Sequence, residues 1–279
     1  MVHQSAGIPS ADAPDIGRVV LGDIQVAFRR SGQGTPVVFV HGLGQDHRSW
    51  DPVIDRLAPG VNAYVPDLRG HGSTSIGQAS GTATQLAGDL LAFLRTVSGP
   101  AICVGFSLGG VIVLGAALQD PALVRQAIVV GTSSKVGRAA VDYFSQRVDQ
   151  AQNDVDAFQK ALASDTDAMI VHARDQVDDT VRQRLAAVGD AQGFANAARA
   201  MIALADAPMT ESLRNIKVPV HIIQGLKDMF CPPKAAEILR QAMPQATYAE
   251  IPDTGHLMSV DQPERLAQAI SRAVGTDRQ

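Results

Sequence analysis

Short apolar runs alternate with amphipathic stretches along the first half of the chain. β-Branched runs at residues 18–21 and 24–30 flank Gly22-Asp23, the pattern of a hairpin. Residues 36–40 form a continuous apolar run of the length of a buried strand. Trp50, Val53, Ile54 and Leu57 recur at helical spacing, and residues 61–65 read as a further strand. Leu86, Leu90, Leu91 and Leu94 make a helical stripe that Gly99-Pro100 ends. A strand at 101–104, a helix at 108–118 and a strand at 127–130 follow. Such alternation predicts a mostly parallel sheet with helices on both faces.

The alternation stops near Ser134. Residues 135–210 carry no strand pattern and read as several amphipathic helices. It then resumes with a strand at 218–224, a helix at 233–243, a strand at 246–251 and a helix at 263–274. One sheet interrupted by a helical insertion accounts for this order better than two independent domains. The expected organisation is a flexible tail at 1–17, core segments at 18–134 and 211–279, and the insertion at 135–210. No internal repeat or low-complexity tract is present.

Residues 101–118 are uncharged over a length that hints at a membrane span. Gly105, Gly109, Gly110, Gly115 and a central serine favour a buried strand turning into a buried helix instead. The first 17 residues are polar, contain Pro9 and Pro14, and lack the basic start and apolar run of a signal peptide. The expected location is the cytoplasm.

Composition narrows the function classes. At 279 residues and 46% hydrophobic content, the chain can bury a large core. A net charge of −4, with no dense Lys/Arg stripe, argues against a nucleic-acid surface. The two cysteines, Cys103 and Cys231, are too few for a disulfide scaffold or a Cys-based zinc site. Both read as inert thiols, Cys103 as a core residue of its strand. Asp outnumbers Glu 24 to 4 and Arg outnumbers Lys 19 to 5, the bias expected of a GC-rich bacterial genome. Residues 135–210 hold 11 Asp, no Glu and 8 Lys/Arg. That acidic bias, without a basic lid, disfavours polyanionic substrates.

Chemistry concentrates in Gly105-Phe106-Ser107-Leu108-Gly109, which follows a predicted strand and opens a predicted helix. A tight strand-to-helix turn lifts the serine out of the sheet, close packing demands glycine on either side, and the helix N-terminus favours developing negative charge. A serine needs a base. His256 lies on a loop between a strand and the last helix, at the carboxyl edge of the sheet, where open α/β sheets bind ligands. His3 in the tail, His172 in the insertion and His221 within a strand read as solvated or structural. The base needs an orienting carboxylate. Asp228 follows the 218–224 strand and gives the chain order Ser, Asp, His. Asp253 competes, but Pro252-Asp253-Thr254-Gly255 has turn chemistry.

From Val19 to Ala273 the chain resembles the α/β-hydrolase fold superfamily. The resemblance rests on four motifs in order: His41-Gly42-Leu43-Gly44, Asp67-Leu68-Arg69-Gly70-His71-Gly72, the turn at Ser107, and Asp228 with Gly255-His256. It implies an eight-stranded, mostly parallel sheet with helices on both faces and a helical cap at 135–210 lining the substrate pocket. It also implies an oxyanion hole from the backbone N–H groups of Leu43 and Leu108, and structural roles for His41 and residues 67–72. Some members place the acid after the sixth strand, but Gly131-Thr132-Ser133-Ser134 offers no carboxylate, which favours Asp228. Haloalkane dehalogenases and epoxide hydrolases use an Asp nucleophile, which Ser107 excludes. Ser133-Ser134-Lys135-Val136-Gly137 and Gly255-His256-Leu257 are similar to 3-oxoadipate enol-lactonases and small bacterial esterases. Asp46-His47-Arg48 resembles a tripeptide of cofactor-free dioxygenases.

The resulting expectation is a serine hydrolase of a small carboxylic ester or lactone. Ser107 is the nucleophile, His256 the base, Asp228 its orienting acid, and Leu43 and Leu108 the oxyanion donors. No metal or organic cofactor is implied, and neither nucleic acid nor membrane is an expected partner. A monomer or small homo-oligomer is expected. The same motifs leave three alternatives open: a carbon–carbon bond hydrolase of a vinylogous diketone, a cofactor-free dioxygenase, and a ligand receptor on this fold.

Overall fold

The computed structural model describes residues 15–276, in which eight strands form one sheet in the order β1-β2-β4-β3-β5-β6-β7-β8. β1 (Asp15–Leu21) and β2 (Ile24–Gly32) form the expected hairpin about Gly22-Asp23, and β2 runs antiparallel to β4 (Val61–Pro66). β3 (Thr35–Val40), β5 (Ala101–Phe106), β6 (Val124–Val130), β7 (Val220–Gly225) and β8 (Thr247–Ile251) continue from β4 in parallel. The expected tail shortens at its inner end, since residues 15–17 pair with β2; residues 1–14, and His3 with them, lie outside the described residues.

Alternation along the central strands assigns their side chains to two layers. Val38, Val40, Cys103 and Val129 face α2 (Ala83–Phe93), α3 (Leu108–Gln119) and α8 (Pro233–Ala242). Val37, Phe39, Val104 and Ile128 face α1 (Asp51–Ile54), the single turn α9 (Met258–Asp261) and α10 (Pro263–Val274). Strands covered on both sides read as continuous apolar runs, which is why residues 36–40 and 101–104 show no alternation of their own. The uncharged stretch at 101–118 is β5 followed by α3, and no helix among the described residues is long and apolar enough to cross a membrane.

The expected helix at 50–57 is shorter than its apolar spacing suggests. A 3-10 turn (His47–Trp50), capped by Asp46, leads into the single turn of α1, while Trp50 and Val53 still reach the core. Between β6 and β7 lie α4 (Arg138–Asn153), α5 (Val155–Met169), α6 (Val177–Val188) and α7 (Gln192–Ile202). Phe158, Leu162, Val188, Phe194 and Ala198 give this cap a core of its own, while Ala197, Ala200 and Met201 on α7 join the layer above the sheet. Chain order and strand order part company at β3. Its connection runs out to β4, whereas β5 continues to β6, and the crevice of an open α/β sheet forms at such a switch point.

Candidate functional site

The glycines around Ser107 are fixed by packing. A Cβ on Gly105 would come within 2.2 Å of the Gly109 oxygen, and one on Gly109 within 2.2 Å of the Val40 oxygen. Only bare backbones let α3 start this close to β3 and β5. Ser107 itself takes φ 52°, a region that a side-chain-bearing residue enters at a cost of order 1–3 kcal/mol. The turn is held from outside: the Ser107 N–H donates to Val130 O at 2.9 Å, and the Thr132 hydroxyl donates to Ser107 O at 2.6 Å. Thr132 thus serves the turn from the segment after β6.

Three loops at the carboxyl ends of β5, β7 and β8 bring Ser107, Asp228 and His256 into one hydrogen-bonded chain. His256 Nε2 lies 3.1 Å from Ser107 Oγ, and His256 Nδ1 lies 2.8 Å from Asp228 Oδ2. Asp228 is buried, and its other oxygen accepts the backbone N–H groups of Phe230 (2.9 Å) and Cys231 (2.8 Å). With Nδ1–H donating to the carboxylate, Nε2 keeps its lone pair for the serine hydroxyl. The imidazole packs between the Phe106 and Phe230 rings, at 4.8 and 5.6 Å between centroids. Such a chain can draw a proton from a hydroxyl while holding the base in one tautomer.

Asp253 lies elsewhere. Its φ is 59°, its carboxylate is exposed and pairs with Lys227, and it serves the turn before His256. His172 is likewise exposed, and His221 bonds the Thr247 hydroxyl. Burial pushes the Cys103 thiol up to about 12. Burial and the neighbouring Asp228 push Cys231 higher still, so both thiols stay protonated. Among the described residues no group of three or more His, Cys, Asp or Glu is placed to hold a metal ion.

The loop after β3 stands opposite. Gln45 Oε1 accepts the Gly42 N–H at 2.9 Å. His41 donates from Nδ1 to Gly42 O at 2.8 Å and accepts the Leu68 N–H at Nε2 at 2.9 Å. This pairing requires a neutral ring, and burial lowers its pKa accordingly. Asp67 accepts the His47 backbone N–H at 2.7 Å and lies 2.8 Å from its Nδ1. Burial alone would raise the Asp67 carboxyl, but its hydrogen bonds from His47 and Ser73 hold it below the usual range. Buried Arg69 pairs with Asp23 in the hairpin turn at 2.8 Å and with Asp89 on α2 at 2.7 Å. His41 and the 67–72 run therefore brace two loops against each other. The Asp46-His47-Arg48 tripeptide is spent on a helix cap, an Asp46–Arg48 pair and the bond to Asp67.

Leu43 and Leu108 line a cavity of about 500 Å³ together with Ser107 and His256. Tyr143, Phe144, Met169, Phe194, Met201 and Phe230 supply much of its apolar wall. The acids of the cap stay off this wall: its charged residues are Lys135, Arg184 and Lys234. Apart from buried Asp165, the acids of the cap are exposed, so its acidic bias belongs to the outer surface and does not describe the pocket. Two buried residues of consequence escaped the sequence reading. Arg184 on α6 reaches down to the oxygens of Leu43 and Gly44, both at 3.2 Å. Asp261 accepts the N–H groups of Val171 (3.2 Å), His172 (2.6 Å), Ala173 (2.8 Å) and Gly255 (2.6 Å), joining a cap strut to the His256 loop.

Known proteins share this arrangement of elements. BpoC of Mycobacterium tuberculosis, which bears a provisional name as a non-heme bromoperoxidase, is 31% identical over 261 residues, covering 88% of this chain and 96% of that protein. The 3-oxoadipate enol-lactonase 1 of Acinetobacter baylyi is 28% identical over 239 residues, covering 84% and 86%. The crystal structure of the enol-lactonase from Burkholderia xenovorans LB400 superposes with a TM-score of 0.83 at 22% identity, covering 93% of this chain and all of that one. The strand order, the glycine-bound turn at Ser107 and a family-model match over residues 37–269 agree: the chain belongs to the alpha/beta hydrolase family.

Proposed function

We propose that this protein is a serine hydrolase that cleaves a small carboxylic ester or lactone through an acyl-enzyme intermediate. The observation that carries the reading is the Asp228–His256–Ser107 chain, which ends on the wall of a mainly apolar cavity of about 500 Å³, a volume suited to a small molecule. Similarity to an enol-lactonase is consistent with it.

Ser107 Oγ attacks the substrate carbonyl as His256 Nε2 takes its proton, and Asp228 stabilises the imidazolium without accepting a proton itself. Charge develops on the carbonyl oxygen between the N–H groups of Leu43 and Leu108. Leu108 opens α3, so its N–H has no partner within the helix, and the helix dipole adds to the field there. Each such donor is worth on the order of 3 kcal/mol in the transition state. The tetrahedral species collapses and the alkoxide leaves with the proton from His256. In a lactone that alkoxide stays tethered to the acyl group. Water then loses a proton to His256, attacks the acyl carbon and releases the acid, restoring Ser107.

A serine-directed fluorophosphonate should label the protein once, at Ser107, and leave Ser107→Ala unlabelled. A panel of C2 to C16 esters, γ- and δ-lactones and one vinylogous diketone should show turnover of short esters or lactones. Labelling at another serine, or full esterase activity in Ser107→Ala, would refute the mechanism. Turnover of the diketone alone would replace ester hydrolysis with carbon–carbon cleavage.

A further inference from the structure

We propose that Arg184 forms a carboxylate subsite in the cavity, so that the substrate carries a free carboxylate on its acyl portion. The proposal rests on the hydrolase reading of the same cavity.

Arg184 is only 4% exposed. Its neighbour on the same helix, Arg182, is exposed and paired with Asp179, as expected of a polar helix surface. The Arg184 guanidinium instead has neutral partners: the oxygens of Gly44 and Leu43 at 3.2 Å, the Thr166 hydroxyl at 2.7 Å and the Met169 thioether at 3.4 Å. Among the described residues it forms no ion pair within 4.0 Å. The nearby acid, Asp165, is already bonded to Arg147 and to the Tyr143 hydroxyl, each at 2.8 Å.

A buried cation without a counter-charge is costly, and partnering by neutral oxygens satisfies its hydrogens without cancelling its charge. Burial accordingly lowers the tendency of this guanidinium to hold its proton. A guanidinium has five N–H donors, and the contacts above use four, one of them on a weak thioether acceptor. Donor capacity and charge therefore both remain at a side chain that lines the cavity. Among the described residues no Asp or Glu lines that cavity to compete for it, and the other cations there, Lys135 and Lys234, are exposed.

Position sets the length of the ligand. The guanidinium sits on the carbonyl of Leu43, one residue's backbone from the N–H that faces the developing oxyanion. The two charges thus lie roughly 7 Å apart, within reach of an acyl chain whose carboxylate is three or four carbons from the reacting carbonyl. The same contacts hold the Leu43–Gly44 backbone in place, so loss of Arg184 lowers turnover of any ester. The subsite is read from selectivity between two esters.

The test compares monoethyl glutarate with ethyl hexanoate, followed by proton release, and glutarate binding to Ser107→Ala by calorimetry. Wild type should prefer the carboxylate ester in kcat/KM, chiefly through KM. R184M should reduce that preference about tenfold to a hundredfold, the loss expected for a charge-assisted bond, and abolish glutarate binding in the Ser107→Ala background. R184K keeps the charge but not the fork; it should retain part of the preference, and it supplies the comparison if R184M does not fold. An ester preference that R184M or R184K leaves unchanged overturns the subsite, as does glutarate binding that ignores Arg184. Arg184-dependent binding of glutarate with no hydrolysis of these esters or of the ester and lactone panel keeps the subsite and refutes the hydrolase reading alone.

Discussion

Replacing Asp228 by Asn separates the fold from the chemistry. The Asp228 carboxylate accepts two backbone N–H groups on Oδ1 and faces the imidazole with Oδ2. In the Asn variant the amide oxygen can keep both backbone bonds, so the loop after β7 retains its anchor and the melting temperature should stay close to that of wild type. The amide nitrogen then faces His256 Nδ1 and can only donate. The ring answers by placing its proton on Nε2, which turns the atom 3.1 Å from Ser107 Oγ from an acceptor into a donor. The serine loses its base, and the imidazolium loses its counter-charge. The expected loss in kcat is about 10⁴-fold, or about 5 kcal/mol of transition-state stabilisation. Steady-state hydrolysis of a short p-nitrophenyl ester measures it, with thermal unfolding as the control for folding. Asp253→Asn, in the exposed turn, should change kcat little. An Asp228→Asn enzyme within tenfold of wild type, or one less damaged than Asp253→Asn, would refute the assignment of the acid.

Glycine substitutions should divide by environment. Gly109→Ala forces a Cβ against the Val40 and His41 oxygens and should destabilise the protein by about 3 kcal/mol or abolish activity. Gly88→Ala, inside α2 with nothing within 4 Å, should stabilise by about 0.5–1 kcal/mol; urea denaturation of both variants checks the opposite signs. Burial lowers the His71 pKa to about 4. The unfolded chain takes up this proton as pH falls below about 6.5, and the folded chain does not until near 4. Stability is therefore complete above the unfolded value and declines by up to about 3 kcal/mol on acidification towards pH 4. His71→Gln should flatten the urea midpoint against pH over that window, and an unchanged acid slope would contradict the burial of a neutral ring.

The parts of the molecule that could be read from the chain are those whose physics is local. Gly105 and Gly109 announce a turn that only bare backbones allow, and the apolar run at 36–40 announces a strand covered on both faces. The order of Ser107, Asp228 and His256 is visible because each follows its own strand pattern. Arg184 gave no such signal. In Asp178-Asp179-Thr180-Val181-Arg182-Gln183-Arg184 it reads as one more solvated charge, and its burial follows from contacts with Leu43 and Gly44 some 140 residues away. Asp261 escaped for the same reason, since its partners come from a cap strut and a core loop. The helix predicted at 50–57 is shorter in the structure because the spacing of Trp50, Val53 and Ile54 suits a 3-10 turn plus one α-turn equally well.

The two ends of the cap meet. The Met209 N–H donates to Ser134 O at 3.0 Å, and the hydroxyls of Ser134 and Thr210 bond at 2.7 Å. An excursion of about 75 residues thus leaves the sheet and returns to it at a single staple, and doubling its length would cost only about 0.6 kcal/mol in closure entropy. Changes in α4, α5 or α6 can therefore leave the strand register untouched so long as the staple closes and α7 keeps its place on the layer above the sheet. The ceiling of the pocket can therefore be rebuilt while the floor, with its strained serine, is left in place. What such exchange must preserve are the points where the span grips the floor: the face of α7 at Ala197, Ala200 and Met201, the glycine at 193, where a Cβ would come within 2.0 Å of the Gly70 oxygen, the 171–173 backbone held by Asp261, and some group to hold the backbone at Leu43 and Gly44.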